Sequence, residues 1–187
     1  MKKFPIYLSI FAALCWLASC GDDDDNNISE VYEQWNQKNI EWLAQQQART
    51  NADGTPYFQT IVPDWNPAAY VLIHYFNDRS ETEGNLSPIY TSTVDTRYIL
   101  HYCDGTAIDS SYLNTQYGPA IFRTRLNSVI SGWTIALENM RVGDTAEVVV
   151  PYQSAYGVNT SSGILPYSNL QFNVSLVDIV YYETNPK

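Results

Sequence analysis

Cysteine is scarce in this sequence, bases are outnumbered, and the familiar catalytic signatures are missing. Three cysteines in 187 residues cannot make a disulfide framework. Two histidines and so few thiols leave a zinc site short of ligands. Ten Lys and Arg against 20 Asp and Glu give a net charge of −10, the wrong sign for a nucleic-acid surface. There is no G-x-S-x-G, no P-loop and no H-E-x-x-H, so the commonest hydrolase, nucleotide and metalloprotease signals are absent. Ser110-Ser111 beside Asp109 lacks a correctly placed His and reads as strand-end hydrogen bonding. With nine Gly and nine Pro the chain is neither collagen-like nor low-complexity. What remains is 26 aromatics and 45% apolar residues at 16% charge, a folding sequence long enough for one compact domain plus extras.

Met1-Lys2-Lys3 is a basic start, and no charge follows from Phe4 to Leu17. That run falls short of the ~20 residues a transmembrane helix needs and suits an exported signal. Leu17-Ala18-Ser19-Cys20 resembles the bacterial lipobox, in which the peptide is cut before Cys and that thiol carries diacylglycerol. An ordinary signal peptide with a chance Cys, or a short membrane anchor, are the alternatives. On the lipoprotein reading residues 1–19 are removed, leaving 8 bases against 20 acids, with Cys20 lipidated and Cys103 the one free thiol. Cys103 itself reads as a small apolar filler. Residues 20–27 read as an acidic tether that repels itself and holds the domain off the bilayer. A calcium loop would need spaced ligands, which consecutive aspartates do not supply. The acidic run also resembles the signal that sends Bacteroidetes lipoproteins to the outer face. The expected location is therefore the cell envelope, anchored through Cys20 at the outer membrane.

From Ile28 to Arg49 the apolar residues Ile28, Val31, Trp35, Trp42 and Leu43, with Tyr32 and Ile40, fall at helical spacing. Asn27 and Glu30 fit a capping box, and Asn51-Ala52-Asp53-Gly54 ends the segment. Such a helix is marginal alone, so its Trp stripe should pack against the domain. Residues 70–76 read as a strand covered on both faces, with His74 a core or edge histidine. Residues 28–86 form an N-terminal extension that could cover a sheet edge, dimerise the domain or shade a pocket. Beyond it, Thr96 to His101, Thr145 to Val150 and Leu170 to Val177 read as strands, and Asp104-Gly105 as a turn. Val129, Ile130, Trp133, Leu137 and Met140 give the only helical spacing there, closed by Arg141 and Gly143. Strands around one short helix predict an α+β fold.

Five motifs in this half occur in one order: Val129-Ile130-Ser131-Gly132-Trp133, Val142-Gly143-Asp144, Ala155-Tyr156-Gly157, Leu165-Pro166 before Leu170-Gln171-Phe172, and the segment Tyr98 to Ser111. Together they resemble the FKBP-type peptidyl-prolyl cis-trans isomerases over residues 87–183. The resemblance implies a curved antiparallel sheet, a half-barrel wrapped around the short helix. It implies a proline pocket with Trp133 as floor, Val129 and Ile130 as rim, and Tyr98, Phe122 and Phe172 as walls. Tyr156 matches the tyrosine whose hydroxyl bonds a substrate carbonyl, Asp109 the aspartate at the pocket edge, and Leu165 the flap loop. On periodicity alone these residues would be core, with Tyr156 and Asp109 serving turns.

Three departures stand out. Ile108 replaces the usual Phe, Ala120 replaces a common second aromatic in Pro119-Ala120-Ile121-Phe122, and Ile99-Leu100 follows Tyr98 where the family has Thr-Gly. The implied activity needs no cofactor and no metal, because an X-Pro bond is twisted and none is made or broken. Implied partners are proline-containing polypeptides of the envelope, macrolide inhibitors, and the membrane through the lipid anchor. The alternatives are a peptide-binding or chaperone module using the same pocket without fast turnover, and glycan binding by exposed Tyr and Trp.

Overall fold

A computed structural model describes residues 23–159 and 162–182. The predicted signal peptide and lipobox, with Cys20, lie outside the described residues. Seven strands form one antiparallel sheet: β1 Gln59–Ile61, β2 Val71–Tyr75, β3 Thr93–Tyr102, β4 Ala107–Ser110, β5 Phe122–Arg125, β6 Thr145–Val150 and β7 Leu170–Tyr181. The order across the sheet is β1-β2-β6-β7-β3-β4, with β5 also paired to β3. Helix α1 spans Asp23–Ala48 and helix α2 spans Ser131–Glu138.

Alternation along the strands sorts side chains to two faces. Val71, Ile73, Val148, Val150, Phe172, Val174, Tyr98 and Leu100 pack with Trp133, Ile135, Ala136 and Leu137 of α2. On the opposite face Leu72 and Val149 join Phe58, against Trp42 and Leu43 of α1. A helix thus covers each face. That explains why β6 is buried along almost its whole length, Glu147 included. Its polar member Glu147 is 6% exposed and is held by Arg49 Nη1 at 3.3 Å and by the Tyr57 hydroxyl at 3.1 Å.

The extension takes the first of its three possible roles and covers an edge. β2 pairs along β6 from Leu72↔Val149 to Tyr75↔Ala146, and β1 pairs with β2 beyond it. Residues 77–82 are fixed by Asp144, the acid of the Val-Gly-Asp turn, which is fully buried. Its carboxylate accepts from the Thr82 hydroxyl at 2.6 Å, from Asn77 Nδ2 at 3.1 Å and from the Arg141 amide at 2.8 Å. Arg79 adds an ion pair at 3.3 Å. A buried carboxylate is tolerated only when its lone pairs are used in this way.

Helix α1 begins earlier than the predicted 28–49. It takes in Asp23 to Asn27, so the acidic stretch is partly helical and Asn27 is no cap. The buried stripe also differs. Val31 and Ile40 are more than half exposed, whereas the polar Asn39 is buried, at 1% exposed. Among the described residues no helix is long and apolar enough to cross a membrane.

Candidate active site

The floor of the site follows from one glycine. A Cβ on Gly132 would sit 2.2 Å from Val150 Cγ1 and 3.1 Å from the Ser154 carbonyl oxygen. Only glycine lets α2 approach β6 this closely, and the approach sets the position of the next residue, Trp133. Trp133 is 5% exposed and its indole meets three rings edge to face: Tyr98 at 5.1 Å, Phe172 at 5.3 Å and Phe122 at 5.9 Å. Tyr98 and Phe122 also pack edge to face at 5.5 Å. Edge-to-face pairs suit the ring quadrupoles and hold each plane in place.

These four rings form the base and walls of a cleft of about 290 Å³, open to solvent and lined further by Val129, Ile130, Asp109 and Tyr156. Val129 and Ile130 enter it from the segment between the 3₁₀ turn Leu126–Ser128 and α2. That segment is fixed by the Thr134 hydroxyl donating to the Leu126 carbonyl at 2.8 Å. Eight of the ten predicted site residues, Tyr98, Asp109, Phe122, Val129, Ile130, Trp133, Tyr156 and Phe172, are therefore brought together.

The polar rim is ordered. The Tyr98 hydroxyl donates to Asp109 Oδ2 at 2.6 Å, while Asp109 Oδ1 accepts from the Ser110 amide at 2.8 Å. Burial, then this hydrogen bond and the carboxylate's charge, push the Tyr98 phenol well above its ordinary value. Burial and the charge of Asp109 likewise raise the Tyr156 phenol. Both hydroxyls are thus neutral donors at physiological pH. Tyr98 directs its hydrogen bond to Asp109, and the 39% exposed Tyr156 offers a donor at the mouth.

Ile108 and Leu165 do not line the cleft. The pairing of Leu100 with Asp109 and of His101 with Ala107 leaves Ile108 as the extra residue of a β-bulge, half-buried against the edge of the core. Leu165 lies instead in a groove with Val31, Trp35 and Lys38 of α1. Its amide donates to the Tyr102 hydroxyl at 3.1 Å and its carbonyl accepts from the Ser168 hydroxyl at 2.7 Å. Ala120 adopts a left-handed conformation at φ 62°, which turns the chain before Phe122.

Two lining residues were missed. Leu100 follows Tyr98 at the strand period of two and so shares its face. The alternation alone could have found it, and it adds bulk where the family carries Gly. Ser128 closes the 3₁₀ turn beside Val129, and no sequence signal marks it.

The loop that carries Tyr156 is tied indirectly to α1. The Tyr152 amide donates to Asn169 Oδ1 at 2.9 Å. The Asn169 amide donates to Asn39 Oδ1 at 2.8 Å, and Asn169 Nδ2 donates to the Asn39 carbonyl at 2.7 Å. The Trp35 indole donates to Ser168 Oγ at 3.0 Å. Gly157 donates to the Tyr152 carbonyl and accepts from the Tyr167 amide, closing the loop on itself.

Residues 85–177 match the model of the FKBP-type peptidyl-prolyl cis-trans isomerases. The chain is similar to a macrophage infectivity potentiator of Trypanosoma cruzi, 40% identical over 97 residues, covering 51% of this chain and 47% of that protein. It is similar to the FKBP-type isomerase FkpA of Escherichia coli, 39% identical over 93 residues, 50% of this chain and 33% of FkpA. It thus spans between a third and a half of the length of these relatives. A crystal structure of a peptidyl-prolyl cis-trans isomerase from Pseudomonas syringae superposes with a TM-score of 0.60 at 26% identity, over 79% of this chain and 94% of that one. The shared sheet, the ring-lined cleft and the matched motifs make one conclusion: residues 85–177 of this chain are a domain of the FKBP-type peptidyl-prolyl cis-trans isomerase family.

Proposed function

We propose that this chain catalyses cis-trans isomerisation of X-Pro bonds in exported polypeptides, from a lipid anchor at Cys20 in the outer membrane. The observation that carries the catalytic reading is the indole-floored cleft with neutral hydroxyl donors at its rim.

The X-Pro barrier of ~18–20 kcal/mol comes from amide resonance, and uncatalysed exchange takes tens of seconds or longer. The planar imide carries charge on its carbonyl oxygen, which water stabilises. The twisted transition state has lost that resonance and needs water less. A prolyl ring set on Trp133, between Tyr98, Phe122 and Phe172, leaves water behind, so the cleft favours the twisted form over the planar one. Tyr156 donates to a substrate carbonyl and holds the distorted backbone. One positioned donor is worth on the order of 3 kcal/mol, about a hundredfold in rate. Leu100 shapes the wall without contributing a ring. Macrolides that mimic a strained prolyl amide would compete for the same cleft.

The test is an isomerisation assay on proline-containing tetrapeptides with the chain from Gly21 onward. Turnover that falls on Tyr156→Phe and on Trp133→Phe is expected. Equal rates with and without protein, together with peptide binding, would leave a binding module. The anchor is tested separately: labelled fatty acid should enter the wild-type precursor and fail to enter Cys20→Ser.

A further inference from the structure

A second cleft, larger than the first at about 480 Å³, lies on the other side of the wall formed by residues 127–131. Along that wall Ser128 and Ile130 face the ring-lined cleft, Asn127 and Ser131 face the second one, and Val129 borders both. On α2 the same division holds: Trp133 floors the first cleft, while Thr134 and Glu138, one turn apart, line the second. The far side is made by two aromatics from the chain ahead of β3, Trp65 and Tyr90. They are 57% and 56% exposed. Trp65 lies ahead of the residues that match the family, 85–177.

The chemistry of this cleft is specific. Two exposed rings offer π-faces, and the half-buried carboxylate of Glu138 lies in the same lining. Burial raises the pKa of that carboxyl, against a smaller lowering by the Tyr90 backbone. None of the ion pairs among the described residues includes Glu138. A carboxylate partly stripped of water, beside indole and phenol faces, gains from a cation that stacks on the rings and pairs with the acid. The net charge of −10 adds a long-range pull of the same sign.

We propose that this cleft is a specificity subsite for the isomerase reaction: it takes a Lys or Arg side chain of the polypeptide whose proline occupies the neighbouring pocket. The inference rests on the prolyl-isomerase reading for its occupant. The shared Val129 supplies the continuity, because a chain leaving the ring-lined cleft on that side passes directly over the second. Trp65 and Tyr90 hold the aliphatic stem and stack on the charged head, and Glu138 pairs with it. Neither Trp65 nor Glu138 touches the proline, so neither acts in the twisting step.

The test uses the chain from Gly21 onward and matched proline peptides. Lys, Ala or Glu is placed in turn at each of the two positions on either side of the X-Pro pair. Both kcat/KM and calorimetric Kd are read. At one position Lys should exceed Ala about three- to tenfold, with Glu below Ala, and added salt should narrow the gap. Glu138→Gln and Trp65→Ala should each erase most of that preference while leaving the Ala peptide's rate unchanged. Equal values for Lys and Ala at every position, on a protein that turns over the Ala peptide, would overturn the subsite and leave the isomerase reading standing. If no peptide is turned over, the isomerase reading fails, and the Kd ratios then decide the subsite by the same criterion.

Discussion

The Tyr98 hydroxyl donates a 2.6 Å hydrogen bond to Asp109 Oδ2, joining β3 to β4 across the mouth of the ring-lined cleft. The bond fixes the wall ring of Tyr98 against Trp133 and directs the carboxylate's other oxygen to the Ser110 amide. Removing either partner frees a group whose hydrogen bonds to charge are worth roughly 1.5–3 kcal/mol. Tyr98→Phe and Asp109→Ala should each lower kcat/KM about ten- to a hundredfold in the tetrapeptide assay. The double variant should lose little more than either single one, because the residues act as a pair. Additive losses would show that they act separately.

The same pair sets a pH expectation. Burial first, then Asp109, raises the Tyr98 phenol above its ordinary value of 10.0. The unfolded chain ionises this tyrosine before the folded one does. The stabilisation is therefore complete below that value and is lost as pH rises from it through the higher folded value. Turnover should be level from about pH 6 to 9, since both phenols stay protonated and the twisting step moves no proton. A loss of rate with an apparent pKa inside that window would contradict neutral-hydroxyl donors.

Gly132→Ala tests why the motif reads Val-Ile-Ser-Gly-Trp. The added Cβ meets Val150 Cγ1 at 2.2 Å on the strand and the Ser154 carbonyl oxygen at 3.1 Å, so α2 must lift from β6. Overpacking of this sort costs about 1–3 kcal/mol, and the shift carries Trp133 with it. The midpoint of urea unfolding should fall, and turnover should fall by more than the loss of folded protein explains. Gly163→Ala, in a turn with open space around it, adds only backbone strain and should spare activity.

The half of the chain rich in motifs was legible because its constraints are local. Glycines, turns and two-residue alternation fix where Trp133, Phe172 and Tyr98 face, and the observed β7 follows that alternation. The extension was less legible because its contacts are distant. Hydrophobic spacing put Val31 and Ile40 on the buried stripe of α1, yet both are exposed. The helix is seated by Trp42 and Leu43 of that stripe and also by Asn39, through bonds to a residue 130 positions away. A buried asparagine looks like a surface one in sequence. The bulge at Ile108 was hidden for a similar reason: a single extra residue changes which side chains face the cleft without altering composition.

Leu100 offers a different handle on the pocket. It is 4% exposed and lines the cleft on the same strand face as Tyr98, at a position where the family carries Gly. Its bulk narrows the space available to a bound prolyl residue. Leu100→Ala should cost about 2–5 kcal/mol of stability as a buried Leu truncation. In the fraction that stays folded, a bulky macrolide should bind more tightly than to wild type, read by calorimetry at low temperature. Weaker macrolide binding would mean that Leu100 is a contact surface for the ligand and not an obstruction.

The bond network from α1 to the Tyr156 loop predicts that a residue far from the cleft controls turnover. Asn39 Oδ1 accepts from the buried Asn169 amide and its carbonyl accepts from Asn169 Nδ2, while Asn169 Oδ1 accepts from Tyr152 at the base of the loop that carries Tyr156. Asn39→Ala removes the first bond and leaves a buried N–H unpaired, at a cost of about 1–3 kcal/mol. The second bond goes to the Asn39 backbone and survives the substitution, so the helix should stay docked. Loosening Asn169 lets Tyr152 and the loop drift, which moves the Tyr156 hydroxyl off the substrate carbonyl. The expected result is a fall in kcat with KM little changed, because the ring-lined floor is untouched. A purely structural role would show the stability loss with kcat per folded molecule unaltered.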